Sequence, residues 1–324
     1  MQLFSANNKI FEPTCATIGV FDGVHLGHRF LVENMQKTAF SSGLKSLVVT
    51  FKNHPQNFFC PQNDFTLLTT EKEKIYLISE LNPDFTLLLD FNKEISAMKA
   101  EDFMLFLKKN YSLKKLIIGY NHSFGSDKIR DFEQYKTIGK NLDIEIEQCE
   151  PFSIDTSFRL KGEIGGKQHV ISPFGRNDGV SSSNIRKLLL DGDIETANAM
   201  LSKNYSLSGI VESGEKNGRK IGFPTANIAI SPQKLVPKVG VYSVDVLYKN
   251  NILNGMLYIG NRPTLDGKNQ TIEVNIFDFN ENIYGKNITI FFKKFIREDE
   301  KFNSLEELKN QLIEDKEKIC TFAF

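Results

Sequence analysis

The sequence has no tryptophan, only four cysteines and no net charge. Each of these shortages narrows what the chain can be. Cys15, Cys60, Cys149 and Cys320 lie far apart and form no C-x-x-C pair. That removes a zinc knuckle or a disulfide frame and fits free thiols in a reducing compartment. With 40 basic and 40 acidic residues, no global field exists to collect nucleic acid or to hold the chain on a membrane. An anionic ligand must then be gripped by local groups, so the expected partners are small phosphorylated molecules. No apolar run is long enough to span a bilayer. Met1–Ile10 shows no basic stretch leading into an apolar one, so no secretion signal is expected and the cytoplasm is the expected location. Internal repeats, low-complexity tracts and a G-x-x-x-x-G-K-[ST] loop are also missing.

What is present fits two domains. A chain of 324 residues exceeds one small domain and is comfortable for two, each with its own core. In the first half, apolar runs at Thr14–Val20, Leu47–Phe51, Phe85–Phe91, Lys115–Gly119 and Asp143–Gln148 alternate with helical patterns at His28–Ser41, Glu71–Leu81 and Ala100–Lys109. Thr70 and Glu73 have capping-box spacing. Continuous apolar strands separated by helices predict a mostly parallel sheet covered on both faces. Phe152–Ile171 is less regular, and the helical patterns Ser183–Leu190 and Ile194–Ser202 bridge the halves. Beyond Leu207 the texture changes to short strands at Leu207–Glu212, Gly240–Tyr248, Gly255–Ile259, Gln270–Phe277 and Asn287–Lys294. Turns rich in glycine, asparagine and proline separate them, which predicts an antiparallel barrel. A helix from Ser304 to about Ile319 closes the chain, with Leu305, Leu308, Leu312 and Ile319 as its expected buried stripe.

The densest chemical signal is Gly19-Val20-Phe21-Asp22-Gly23-Val24-His25-Leu26-Gly27-His28, where a strand ends and a helix begins. Ligands of open α/β sheets bind there, and backbone N–H groups at the helix start favour a phosphate. Gly23 and Gly27 allow close backbone approach. His25 and His28, three apart, are expected to face one triphosphate and to donate hydrogen bonds as charge develops on a departing pyrophosphate. Ser181-Ser182-Ser183-Asn184-Ile185-Arg186 offers a second phosphate grip at another helix start.

The second constellation runs from Gly209 to Asn227. Pro224 fixes the backbone before Thr225, and Thr225 and Asn227 are expected to present oxygens from one extended face, a set that suits Mg²⁺. Strand alternation puts Glu273 and Asn275 on one face and Val274 and Ile276 on the other. A carboxylate there is costly unless it has work or a partner, and standing alone Glu273 reads as a solvated strand residue.

These motifs resemble the prokaryotic bifunctional riboflavin kinase/FMN adenylyltransferases (FAD synthetases). G-x-F-D-G-V-H-x-G-H, the serine cluster with Ser183 in a threonine position, and Thr50-Phe51 with His54-Pro55 are similar to the adenylyltransferase elements. Gly119–Gly125 is similar to a further one, with Ser123 where the family usually places arginine. The segment G-x-V-x-x-G-x-x-x-G-R-x-x-G-F-P-T-A-N resembles the riboflavin kinase signature, followed by a turn-like Tyr258–Thr264, the strand Glu273–Phe279 and the Ile296–Phe302 element.

The resemblance implies a Rossmann-like nucleotidyltransferase domain over 1–186 and a riboflavin kinase barrel with a terminal helix over 187–324. It implies ATP held in the first by Gly19, Phe21, Asp22, Gly23, His25, His28, Ser182, Ser183 and Arg186, with flavin near His54 and Asn121. In the second it implies ATP at Gly214, Gly218, Arg219, Gly222, Thr225 and Asn227, metal at Thr225 and Asn227, flavin at Asn261, Arg262 and Arg297, and Glu273 as base. The substrates would be riboflavin, FMN and ATP, with Mg²⁺. Two rival readings stay open: a chain that keeps the kinase alone, and a flavin-responsive binding protein on a retired enzyme.

Overall fold

The structure is a computed structural model that describes residues 1–60, 65–120, 122–152, 179–213, 218, 222–264 and 267–322, with backbone alone for 262–264, 267–269 and 322. Most of the irregular Phe152–Ile171 segment lies outside these residues. The described chain divides into two compact units, residues up to 152 with Gly179–Ser182, and Ser183 onward.

The first unit contains β1 (Gln2–Ser5), β2 (Thr14–Ile18), α1 (Leu26–Ser41), β3 (Lys45–Phe51), α2 (Pro55–Phe59), α3 (Glu71–Ser79), β4 (Phe85–Leu89), α4 (Lys93–Ala97), α5 (Ala100–Tyr111), β5 (Leu113–Ile118), α6 (Phe132–Asn141) and β6 (Glu145–Gln148). Its six strands form one sheet in the order β1-β4-β3-β2-β5-β6, and every neighbouring pair is parallel. Side-chain alternation divides the sheet cleanly. Ala16, Ile18, Leu47, Val49, Leu87 and Leu116 pack with Phe103, Met104 and Leu107 of α5. On the other face Cys15, Val48 and Ile117 pack with Val32 and Met35 of α1 and Ile78 of α3. Both faces being covered accounts for the continuous apolar strands. The capping box of α3 forms as spaced, with Thr70 Oγ1 accepting from the Glu73 N–H and Glu73 Oε2 from the Thr70 N–H.

The second unit holds α7 (Ser182–Asp191, apart from its first residue), α8 (Ile194–Leu201), β7 (Ser206–Glu212), β8 (Ala226–Ile230), β9 (Gly240–Tyr248), β10 (Asn251–Thr264), β11 (Gly267–Ile276), β12 (Asn287–Arg297) and α9 (Leu305–Phe322). The six strands close into a barrel, β10-β11-β8-β7-β12-β9, whose pairs are all antiparallel. Tyr242, Val244, Leu257, Ile259, Val274 and Ile276 fill its buried face. The opposite face of β9–β11 carries Val241, Met256, Tyr258 and Phe277, and Leu312 and Ile319 of α9 pack against it.

Two expectations need correction here. The expected turn over Tyr258–Thr264 is continuous strand. The β10–β11 hairpin runs in unbroken register from Gly255↔Ile276 to Thr264↔Gly267, so Gly260 and Pro263 belong to a strand. Proline is tolerated in a strand where its missing N–H meets no partner. The buried stripe of α9 also starts later than expected. Leu305 is 64% exposed, whereas Asp315 is 0% exposed. The Asp315 carboxylate takes both contacts from Arg297 Nε, at 3.1 and 2.9 Å, and a third from Gln311 Nε2 at 3.1 Å. A buried charge is tolerable on such terms. Of the cysteines, Cys15 and Cys149 are buried and Cys60 and Cys320 exposed, and all four are free thiols.

Removing one partner of a buried ion pair costs about 3–5 kcal/mol. Asp315→Ala is expected to destabilise the barrel by that amount, read as a lower urea midpoint for the barrel transition.

Candidate active sites

In the first unit the site begins where β2 ends, beside β5, at the point where the strand order reverses. In open α/β sheets that is where ligands bind. The connection into α1 is tight and strained: Phe21, Gly23 and Val24 have φ of 54°, 83° and 41°. For phenylalanine, and more so for β-branched valine, this left-handed conformation costs energy that surrounding contacts must offset.

Those contacts are on hand. Asp22, 3% exposed, accepts hydrogen bonds from the N–H groups of Leu68 and Thr69 and from the Thr69 hydroxyl, at 2.9–3.0 Å. Thr69 Oγ1 accepts from the Gly23 N–H at 3.0 Å. Ser182 Oγ donates to the Asp22 carbonyl at 2.8 Å. The Phe21 ring lies over Gly19, where a Cβ would sit 2.9 Å from it. Gly19, Phe21, Asp22, Gly23 and Ser182 are thus brought together. Ser183 and Arg186 follow on the same helix, inside the second unit.

His25 is the N-cap of α1, its Nδ1 accepting from the His28 N–H at 3.3 Å. That bond leaves the His25 ring proton on Nε2. The imidazoles of His25 and His28 stack with centroids 3.6 Å apart and 14° between planes, rather than standing side by side. Burial, then His25, His122 and Lys74, hold the His28 pKa well below the ordinary histidine value. Burial alone lowers His122 to about 4. His28 Nδ1 and His122 Nε2 are buried and without hydrogen-bond partners among the described residues. No acidic residue occupies the first turn of α1, so its amide dipole is not neutralised from within that turn.

His54 caps α2, its Nδ1 accepting from the Gln56 N–H at 3.1 Å, and its ring lies 4.6 Å from that of Phe65. Phe58 and Phe59, on the same helix, cluster edge to face with each other and with Phe91. Asn121 lies outside the described residues, and Ser123 is exposed.

The second site forms where β8 meets β11. Glu273 stands opposite Asn227 in register, and Thr225 Oγ1 donates to Glu273 Oε2 at 3.1 Å. Asn275 Nδ2 donates to the Pro224 carbonyl at 2.7 Å, which pins the segment that presents Thr225. A Cβ on Gly218 would fall 2.2 Å from the Phe223 carbonyl oxygen and 3.5 Å from Thr225 Oγ1, so a glycine is required there. Gly222 has φ 87°, the other position in this segment that calls for glycine.

Tyr258 pairs with Glu273 across β10–β11 and donates to Asp299 at 3.0 Å. Burial, then Asp299 and Glu273, push its phenol up to about 12. Arg297 is committed to Asp315 and to the Glu298 carbonyl, and Asn261 is exposed on β10. Gly214 and Arg219 lie outside the described residues, as does the Arg262 side chain.

Sequence reasoning did not single out Thr69, Lys74 and His122 around the first motif or Tyr258, Asp299 and Asp315 around the second cluster. Lys74 had a visible signal: it stands four residues before buried Ile78, on the apolar face of α3.

An open parallel α/β unit followed by a small antiparallel barrel that carries a Thr–Asn–Glu cluster fits a class of two-domain nucleotide enzymes. Residues 7–158 match the family described as FAD synthetase, and residues 201–322 the family described as riboflavin kinase. The bifunctional riboflavin kinase/FMN adenylyltransferase of Haemophilus influenzae is 32% identical over 317 residues, 97% of this chain and 96% of its own length. The protein of that name from Bacillus subtilis is 32% identical over 312 residues, covering 94% and 91%. A solved structure described as a macrolide-efflux protein from Streptococcus pneumoniae has a TM-score of 0.82 and 29% identity, with 98% of each chain covered. The chain belongs to the bifunctional riboflavin kinase/FMN adenylyltransferase family. Among the described residues no helix is long and apolar enough to cross a membrane.

Displacing reacting groups by about 1 Å can cost on the order of a hundredfold in rate. Gly218→Ala, whose Cβ would push against the Phe223 carbonyl two residues before Thr225, is expected to slow riboflavin phosphorylation by at least about tenfold and to leave FAD formation from supplied FMN unchanged. Paired assays of the two reactions check this.

Proposed function

We infer that the chain makes FAD from riboflavin in two steps, each on its own site: phosphorylation to FMN over residues 187–324 and adenylylation of FMN over residues 1–186. The observation that carries the reading is the Thr225–Glu273 hydrogen bond of 3.1 Å. It joins the hydroxyl of the Pro-Thr-Ala-Asn segment to a carboxylate 48 residues away, with Asn227 opposite.

In the kinase step Glu273 accepts the proton of the ribityl hydroxyl as that oxygen attacks the γ-phosphorus and the bond to the ADP oxygen breaks. The Thr225 hydroxyl orients the carboxylate until substrate arrives. A hydroxyl and an amide oxygen are the hard donors that Mg²⁺ prefers, and Mg²⁺ usually completes its shell with water and substrate phosphate. The residues therefore fit the ion, with Thr225 and Asn227 as its holders. When bound, Mg²⁺ supplies charge neutralisation at the phosphates.

In the adenylyl step an FMN phosphate oxygen attacks the α-phosphorus of ATP, and pyrophosphate leaves with the electron pair of the broken bond. Neutral His25 and His28 donate N–H groups to the polyphosphate, and the amides that begin α1 add their dipole. The strained backbone at Phe21–Val24 holds those amides ready. No nucleophile–base pair is needed, since the substrate phosphate is the nucleophile. The cytoplasm and a small-molecule partner set follow from this reading.

General acid–base groups contribute about 10²–10⁴-fold. Glu273→Gln is expected to lose FMN formation by that factor and to keep FAD formation from supplied FMN. His28→Ala is expected to do the reverse. Product analysis from riboflavin, ATP and Mg²⁺, and separately from FMN, decides the matter: equal damage to both activities in a folded variant rejects the two-site reading.

A further inference from the structure

Of the residues assigned to the adenylyl site, Arg186 alone is a cation, and it lies in the second unit. His28 and His122 are both kept uncharged by burial, yet the ligand of that site carries several negative charges. Neutral donors alone are a weak match for a polyphosphate removed from bulk water. A second cation, supplied by the first unit, would strengthen that grip, and the charged groups of this unit can be searched for one. Arg29 is drawn to Glu80 at 3.9 Å. Lys115 is bound by Glu145 and Glu147 at 3.0 and 2.9 Å.

Lys74 of α3 is placed differently. It is 5% exposed, and its ammonium donates to the carbonyl of Phe51, the last residue of β3. That is its one hydrogen bond among the described residues, so two of its three donors remain for other partners. Asp22, from the β2–α1 connection, and Glu71, on its own helix, attract its charge. Its charge in turn is felt by His28 on α1. Phe51 ends the strand beside β2, and Thr50 Oγ1 next to it donates to the Val20 carbonyl at 3.1 Å, so Lys74 stands at the strand ends from which the first motif springs.

We propose that Lys74 is a cation of the adenylyl-transfer site supplied by the first unit, an ammonium that bonds the polyphosphate of ATP while holding the end of β3 through Phe51. The assignment rests on the two-site reading above. Asp22 then has two duties: its oxygens bind the Leu68–Thr69 segment, and its charge keeps Lys74 protonated before ATP arrives. Burial, opposed by Asp22 and Glu71, lowers the lysine to about 8. Above that pH the free enzyme loses the charge. A bound polyphosphate adds negative charge beside the ammonium and raises its pKa again, so the proton is retained in the complex.

The test is FAD formation from supplied FMN as a function of pH, with riboflavin phosphorylation by the same preparations as a control for folding. In the wild type kcat/KM for ATP, which reports the free enzyme, is expected to fall as pH rises through about 8, while kcat holds to higher pH. Lys74→Met is expected to lower kcat/KM by about tenfold to a hundredfold, the scale of one charge-assisted bond, and to lose the alkaline fall. Lys74→Arg, whose charge does not titrate, is expected to recover most of the activity and to move the fall beyond the accessible range. A folded Lys74→Met enzyme with wild-type kcat/KM overturns the proposal. So does one that is slow but keeps the alkaline fall, which would mark Lys74 as a brace for β3 alone. A wild type that makes no FAD at all would instead reject the two-site reading.

Discussion

The first unit depends on one buried carboxylate. Asp22 receives the hydrogen bonds of Leu68 and Thr69, and through Thr69 it also fixes the amide of Gly23. That knot, with the Ser182 hydroxyl on the Asp22 carbonyl, holds Phe21 and Val24 in the left-handed conformation that aims the start of α1. The strain is a local cost, and the rigid sheet on either side makes it bearable. On the proposed reading the amides and imidazoles at the start of α1 are preorganised, which is how polar groups accelerate reactions that develop charge.

The second unit reaches a similar end by strand register. An antiparallel pairing that places Asn227 opposite Glu273 brings the Pro-Thr-Ala-Asn segment and a distant carboxylate together with no loop rearrangement. The hydrogen bond from Asn275 to Pro224 locks the same register from the neighbouring position. A slip of one residue would turn Glu273 toward the barrel interior and Val274 outward. Register and chemistry are thus specified by the same apolar pattern.

Much of this could be read from the residues. The strands buried on both sides, the capping box at Thr70 and Glu73, and the strand Gly240–Tyr248 all follow from local pattern. Each motif also contains residues that the structure brings together, Asp22 with Ser182 and Thr225 with Glu273. Other parts depend on partners that local pattern does not encode. β1 is a short, largely exposed strand whose only reason to extend is its pairing with β4. α6 was hidden by its polar composition, with Tyr135 and Gly139 as its buried residues. β10 and β11 carry turn-forming residues that their mutual pairing overrides. Asp315 is inside because Arg297 is there to meet it. Lys74 is inside because Phe51, Asp22 and Glu71 together make burial tolerable for a charge.

The four thiols have a practical corollary. Burial drives Cys15 up to about 12, and Cys149 upward as well, so neither presents a thiolate to alkylating reagents at neutral pH. Cys60 and Cys320 are exposed, one in each compact unit. The natural protein thus carries a single addressable handle per unit, and a donor and an acceptor dye can be attached for distance measurements during turnover without engineering any residue.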